Sequence, residues 1–256
     1  MPKEVKFAKF NGDGYIHIPL NGSKVLHELT NSDFTFCVLA KPDFVKPIKW
    51  TEHYEDFALF VRSGVHTGLF YSTVNRFKGN VWDNNNIEYP LNSLEYNNKI
   101  VHLVFCVNNK KKKHSLYVNG IRVSESDEFY QLDKRRSPSL PQIPKEKDFY
   151  KYPKEYSDYF MGSANPFTKE FSCFYKGKIY ESAIWDTELS ADEIEVLYEN
   201  IFDMDLTEDF ELYKSSDNLV GYWNFDIIHD DKIFDESFLE HHGFLHNVEI
   251  GTEKIK

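Results

Sequence analysis

Apolar residues recur along this chain in short runs, each closed by polar turn residues. Phe34-Thr-Phe-Cys-Val-Leu-Ala40 and Gly68-Leu-Phe-Tyr-Ser-Thr-Val74 are runs of β-favouring residues of strand length. Ile100-Val-His-Leu-Val-Phe-Cys-Val107 is nearly continuous in its apolar character, as expected of a central strand covered on both faces. Ser115-Leu-Tyr-Val-Asn-Gly120 alternates and ends in Asn-Gly, a strong tight-turn signal. Between these two, Asn108-Asn-Lys-Lys-Lys-Lys-His114 reads as a hairpin tip with its lysines in water. Lys178–Trp185 and Leu219–Phe225 read as further strands. One stretch has the helical period. Ser190 is an N-cap, Glu193 completes a capping box three residues on, and Ile194, Leu197 and Tyr198 follow at helical spacing. That helix is expected to run one or two turns. Many short strands with one short helix predict an all-β sandwich.

Two segments interrupt this rhythm. Ser126–Tyr159 carries four prolines, a basic cluster at Lys134-Arg-Arg136 and several tyrosines, and reads as a long insertion loop. Phe202–Asp217 is an acidic connector. With no internal repeat and no linker, residues 1–256 read as a single domain with its insertion at about 126–159. The 22 Phe and 16 Tyr strengthen the strand reading, because flat rings pack well on a pleated surface. The net charge of −11 opposes nucleic acid and anionic membrane as partners. Cys37, Cys106 and Cys173 are sparse and lie in strand-like segments, so they read as structural thiols and not as a disulfide framework. The N-terminal residues lack a signal-peptide core, and no apolar run is long enough to span a bilayer. The chain is therefore expected to be soluble, either cytoplasmic or packaged in a particle.

Four segments, in order, resemble the laminin G-like, pentraxin-like jelly roll of the concanavalin A-like lectin/glucanase superfamily. They are Phe10-Asn-Gly-Asp-Gly-Tyr-Ile-His-Ile-Pro19; Leu103–Val107 with Leu116-Tyr-Val-Asn-Gly120; Phe160-Met-Gly-Ser163 with Tyr175–Ile194; and Leu219-Val-Gly-Tyr-Trp-Asn-Phe-Asp226 with Asp235-Glu-Ser237 and His242-Gly-Phe-Leu245. The resemblance implies a two-sheet antiparallel jelly-roll β-sandwich. It also implies a binding module for carbohydrate or protein surfaces. A structural or assembly protein, with the insertion loop contacting neighbouring subunits, is the alternative. Trp185 and Trp223 are expected in the core, each with a partner for its ring N–H.

Catalysis by the related glucanases uses a Glu-x-Asp-x-x-Glu strand, and this chain has none. Asp192, Glu193, Glu195 and Glu199 read instead as a solvated helical face. No catalytic residue is expected. The resemblance implies a structural calcium near the chain ends, for which Asn11, Asp13 and Asp235 supply oxygen ligands; ordinary turn residues are the alternative. For a sugar, Trp82 offers a ring to stack on, and Asp83, Asn84 and Asn85 offer groups to bind hydroxyls; a polar turn with Trp82 packed inward is the alternative. Tyr130 and Tyr150 of the insertion form a second candidate contact surface.

Overall fold

The computed structural model describes residues 2–43, 56–63, 67–72, 76–81, 85–90, 95–127, 158–166 and 173–255. In chain order these give β1 (Lys3–Asn11), β2 (Tyr15–Ile18), α1 (Lys24–Glu28), β3 (Phe34–Pro42), β4 (Asp56–Arg62), β5 (Thr67–Ser72), β6 (Arg76–Val81), β7 (Asn85–Pro90), β8 (Val101–Asn108), β9 (Lys113–Val118), β10 (Ile121–Ser126), β11 (Tyr159–Met161), β12 (Lys176–Trp185), α2 (Ala191–Glu199), β13 (Leu219–Trp223), β14 (Ile228–His229), β15 (Lys232–Ile233), β16 (Gly243–His246) and β17 (Glu249–Ile255). They form two antiparallel sheets. Sheet A has the order β10-β9-β8-β3-β12-β1-β17, with β13 also paired to β12. Sheet B has the order β14-β15-β16-β2-β11-β4-β5-β6-β7. Strands adjacent in a sheet are often distant in sequence, so the chain crosses repeatedly between layers, as a jelly roll does.

The layers are sealed by rings from their inner faces. Phe34, Phe36 and Phe105 of sheet A meet Phe60, Phe77 and Tyr159 of sheet B, and all are fully buried. The Phe36 and Phe60 centroids lie 5.5 Å apart, and Phe60 meets Trp223 edge-on at 5.6 Å. Gly79 makes room for this layer: a Cβ there would lie 2.3 Å from the Phe105 ring. Both expected core tryptophans are buried with satisfied N–H groups. Trp223 donates to the His241 carbonyl at 3.0 Å, and Trp185 donates to the Tyr213 hydroxyl at 2.9 Å.

A second, smaller core covers the outer face of sheet A. There α2 and the connector after it lay Ile194, Leu197, Leu206 and Tyr213 over Cys37, Val104 and Trp185. The capping box at Ser190 is formed in both directions. Glu193 departs from the solvated face expected of it. It is buried, and its second oxygen accepts from the Lys214 N–H at 3.2 Å and the Ser215 hydroxyl at 2.6 Å. It thus ties the connector to the helix, while Asp192, Glu195 and Glu199 are exposed. The sequence led us to expect one helix, but the described residues hold two α-helices. In α1, Ser23 caps the Leu26 N–H, and the side chain that reaches the core is Leu26. Five residues are too few to show a helical period. Cys37, Cys106 and Cys173 are all free thiols.

Candidate functional site

The site arises from a change of partner along one strand edge. β12 pairs with β3 along its length on one side. On the other side it pairs with β1 from Lys176 to Ile179, then with β13 from Ser182 to Trp185. The two residues between, Tyr180 and Glu181, have neither neighbour on that edge, and the β3 register slips at the same point. A bulge here turns Tyr180 and Glu181 toward the same outer face. Sheet A is therefore split where β1 diverges and β13 enters, and a cavity of about 330 Å³ opens over the split.

Tyr180, Glu181, Phe202, Tyr222, Asn224 and Glu236 line this cavity, with Lys3 and Lys6 of β1 at its border. The Tyr222 hydroxyl donates to Glu181 Oε2 at 3.2 Å. The Glu236 N–H donates to the Tyr222 carbonyl at 2.8 Å, which fixes the Glu236 backbone to β13. Burial pushes the Glu181 carboxyl up to about 7; the Tyr222 hydrogen bond opposes this and the Glu236 charge adds to it. Burial also raises Glu236, against a hydrogen bond from Asn224. Lys3 is taken by Asp203 at 2.9 Å, and the Lys6 ammonium donates to the Asp226 carbonyl at 2.8 Å. Beneath lies a small recess that shares Glu181 and Phe202 and is walled by Cys37 and His102. There Cys37 Sγ lies 3.1 Å from His102 Nε2. Burial raises the thiol and lowers the imidazole to about 4, so both are neutral near pH 7 and no thiolate nucleophile forms.

The outer face of sheet B is arranged differently. Lys78 meets Asp56 at 2.8 Å, Arg76 pairs with Glu88, and His17 meets Asp158 at 2.7 Å. Its rings also meet one another: Tyr15 stacks on His246 at 4.5 Å and His17 on Phe160 at 5.0 Å.

The residues expected from sequence to bind a sugar are only partly placed. Trp82, Asp83, Asn84, Tyr130 and Tyr150 lie outside the described residues. The Asn85 backbone pairs with Val81 across the β6–β7 ladder. Of the expected calcium ligands, Asn11 and Asp13 are exposed at the end of β1 and in the turn after it. Asp235 is buried. Its Oδ1 accepts from the Tyr222 N–H at 2.7 Å and the Ser237 N–H at 2.9 Å; its Oδ2 accepts from the Ser237 hydroxyl at 2.9 Å and the His241 N–H at 2.7 Å. Four donors aimed at one carboxylate stabilise its charge without a cation and leave no face for one. This donor set does not fit calcium at Asp235. Among the described residues no group of three or more His, Cys, Asp or Glu side chains could hold a metal. The sequence reading missed Glu181, Tyr222 and Glu236. The available signal was a single carboxylate inside the apolar run Ile179-Tyr-Glu-Ser-Ala-Ile-Trp185.

Two stacked antiparallel sheets with jelly-roll crossings and a recessed polar pocket define a lectin-like sandwich. Residues 10–195 match the Concanavalin A-like lectin/glucanases superfamily of laminin G type, and the chain belongs to that family. No curated protein matches it in sequence. Among solved structures it is similar to a candidate carbohydrate binding protein from Bacteroides ovatus, with TM-score 0.64 and 16% identity. That match covers 99% of this chain but 62% of the other, so the chain spans less than two thirds of that protein. It is also similar to the Ruminococcus gnavus IT-sialidase CBM40 bound to alpha2,3 sialyllactose, with TM-score 0.52, 14% identity, and coverage of 77% and 97%. A native heptameric SAP-like pentraxin from Limulus polyphemus matches with TM-score 0.51, 11% identity, and coverage of 96% and 94%. At these identities the likeness shows the fold. No helix among the described residues is long and apolar enough to cross a membrane.

Proposed function

We propose that this chain is a non-catalytic carbohydrate-binding module and that the cavity over the split in sheet A is its sugar site. The observation that carries this reading is the mixture lining one recess of about 330 Å³: the rings of Tyr180, Tyr222 and Phe202 beside the oxygens of Glu181, Glu236 and Asn224. A sugar presents the same mixture, an apolar ring face edged by hydroxyl donors. A concave site with a few convergent polar groups is the usual form of a ligand pocket. Similarity to a candidate carbohydrate binding protein and to a CBM40 module supports the same reading.

The carboxylates also speak against hydrolysis. Glycoside cleavage needs one carboxyl held protonated and its partner held ionised. Here burial shifts Glu181 and Glu236 in the same direction, so these two carboxyls are not driven apart as the members of such a pair are.

A glycan array probed with wild type, Glu181→Gln and Trp82→Ala tests the reading. Binding by wild type that is lost in Glu181→Gln and kept in Trp82→Ala supports the cavity. The reverse pattern moves the site to the β6–β7 connection, where Trp82 lies in sequence. Silence of all three proteins removes the carbohydrate reading.

A further inference from the structure

We infer that the Asn21-Gly22 turn is a site of spontaneous covalent modification, at which water converts the Asn21 amide to aspartate and isoaspartate in the folded protein. The inference stands apart from the carbohydrate reading and does not need it.

The chain contains three Asn-Gly dipeptides, beginning at Asn11, Asn21 and Asn119. In each the glycine has no side chain to shield its backbone nitrogen, so the local chemistry is the same and the fold decides which one reacts. The reaction is intramolecular. The Gly22 backbone nitrogen gives its proton to solvent base and attacks Cγ of Asn21. The new N–Cγ bond closes a succinimide ring, the Cγ–Nδ2 bond breaks, and Nδ2 leaves as ammonia with a proton taken from water. Water then opens the ring. Addition at Cγ returns an ordinary aspartate; addition at the main-chain carbonyl leaves the chain running through Cγ as isoaspartate. Amide and water become carboxylate and ammonia, with no oxidation or reduction. Closure needs a side chain free to swing and a backbone free to turn.

Asn21 and Asn119 stand in turns of the same kind. Both central residues have positive φ in each, 46° and 81° for Asn21 and Gly22, 51° and 77° for Asn119 and Gly120, as in a type I′ turn. Their surroundings differ. Asn119 Oδ1 accepts from the His102 N–H at 3.0 Å, and the Asn119 N–H donates to the His102 carbonyl at 2.8 Å. Val118 and Ile121 pair directly across the β9–β10 ladder, and Tyr198 of α2 packs on Gly120, where a Cβ would lie 3.0 Å from its ring. Asn21 and Gly22 are exposed and belong to no strand. The Asn21 side chain makes no hydrogen bond among the described residues, and a Cβ at Gly22 would meet nothing within 4 Å. The Ser23 N–H closes this turn on the Leu20 carbonyl at 2.7 Å. Asn11 is also exposed, but its backbone is held in the β1–β12 ladder opposite Lys176. Asp13-Gly14 could close the same ring by losing water. Gly14, however, is buried, and a Cβ there would lie 2.2 Å from the Asn247 carbonyl oxygen, so its backbone has no room to turn. The product at Asn21 adds a charge and, as isoaspartate, a longer backbone just before Ser23. The Ser23 hydroxyl caps the Leu26 N–H at 3.3 Å and meets His241 Nε2 at 2.8 Å, so the change falls where α1 joins the loop bearing Glu236.

The test is peptide mapping by mass spectrometry after incubation of the full chain at pH 8 and at pH 5. Isoaspartate is read separately, by methyl transfer from S-adenosylmethionine with a protein isoaspartate methyltransferase. We expect the peptide bearing Asn21 to gain about 1 Da and to accept methyl groups. It should do so faster at pH 8, because the attacking nitrogen must lose its proton. In the folded chain Asn21 should react about tenfold or more faster than Asn119 or Asn11, whose turns must first open. In denaturant the three should react at comparable rates, since only the fold separates them. Asn21→Gln, which must close a larger ring, should lose the signal at this site. Should that variant fold poorly, the wild-type peptide map decides alone. Asn119 or Asn11 reacting as fast as Asn21 in the folded chain overturns the inference. So does an Asn21 that stays intact in the folded chain and reacts once the chain is unfolded.

Discussion

The outer face of sheet B and the recess over the split in sheet A treat their charges in opposite ways. On sheet B the charged side chains meet counter-charges within the face, as Lys78 does with Asp56 and Arg76 with Glu88. Over sheet A, Glu181 and Glu236 line an open recess with no ion-pair partner of their own among the described residues, at the point where β12 exchanges β1 for β13. The first arrangement stabilises a surface and leaves little to offer a ligand. The second leaves the protein itself incompletely satisfied and is the one suited to recognition. A regular ladder gives each side chain a cross-strand neighbour to pair with; a split ladder does not.

The largest effects should come from breaking the arrangements already satisfied. Asp235→Ala removes a carboxylate from four donors, three of them backbone N–H groups, of Tyr222 in β13 and of Ser237 and His241 in the loop carrying Glu236. We expect a loss of about 4 kcal/mol of stability, read from denaturant midpoints. Because Glu236 follows directly, ligand binding at the cavity should fall with it. Retained stability would show that Asp235 does not organise the loop.

Lys78→Met comes next. Lys78 and Asp56 are both largely buried, so the single change leaves Asp56 without its cation and should cost about 3 kcal/mol. Lys78→Met with Asp56→Leu should recover most of that loss, since burying neither charge is often as stable as burying both. Glycan binding should be untouched in the double variant. A loss of binding there would place the recognition face on sheet B and reverse the contrast.

Glu181→Gln should barely change stability near pH 5 and should stabilise the fold at pH 8. The Glu181 carboxyl sits at about 7 in the fold against an ordinary 4.5. The native state therefore holds its proton longer than the unfolded chain, and stability falls as pH rises from about 4.5 to 7. His102 acts in the other direction. Its imidazole is held down to about 4 from 6.5, so the unfolded chain binds the extra proton and stability falls as pH drops from about 6.5 to 4. In the wild type the two slopes oppose one another between pH 4.5 and 6.5. Removing Glu181 should make Tm rise more steeply with pH over this range, because the His102 slope is then no longer opposed by Glu181. Parallel wild-type and variant curves would mean that Glu181 titrates normally.

The sandwich was readable in the sequence because its signals are local. Leu116-Tyr-Val-Asn-Gly120 fixes β9 and its turn, and Ser190 with Glu193 fixes the start of α2. The cavity was not readable in the same way. Glu181, Tyr222 and Glu236 are far apart in the chain, and each belongs to an ordinary strand or turn on its own. What brings them together is the exchange of β1 for β13 along one edge, and no run of residues encodes that exchange locally. Glu193 was misjudged for a related reason. Its helix position was legible, but the connector that folds back onto it was not.

The smallest expected effect is no effect. Melting in calcium and in chelator should give superimposable curves, because a ligand that binds only the folded state raises Tm in proportion to its occupancy. A cation near Asp235 would face the N–H groups of Tyr222, Ser237 and His241, which present positive dipole ends to it. To bind there, calcium would have to displace donors that hold β13 to the loop bearing Glu236. A calcium-dependent rise in Tm that persists in Asp235→Asn would place the ion elsewhere, with Asn11 and Asp13 as the exposed oxygens to test first. A rise abolished by that substitution would mean that the loop rearranges to bind, and that the cavity wall beside it is less fixed than its hydrogen bonds imply.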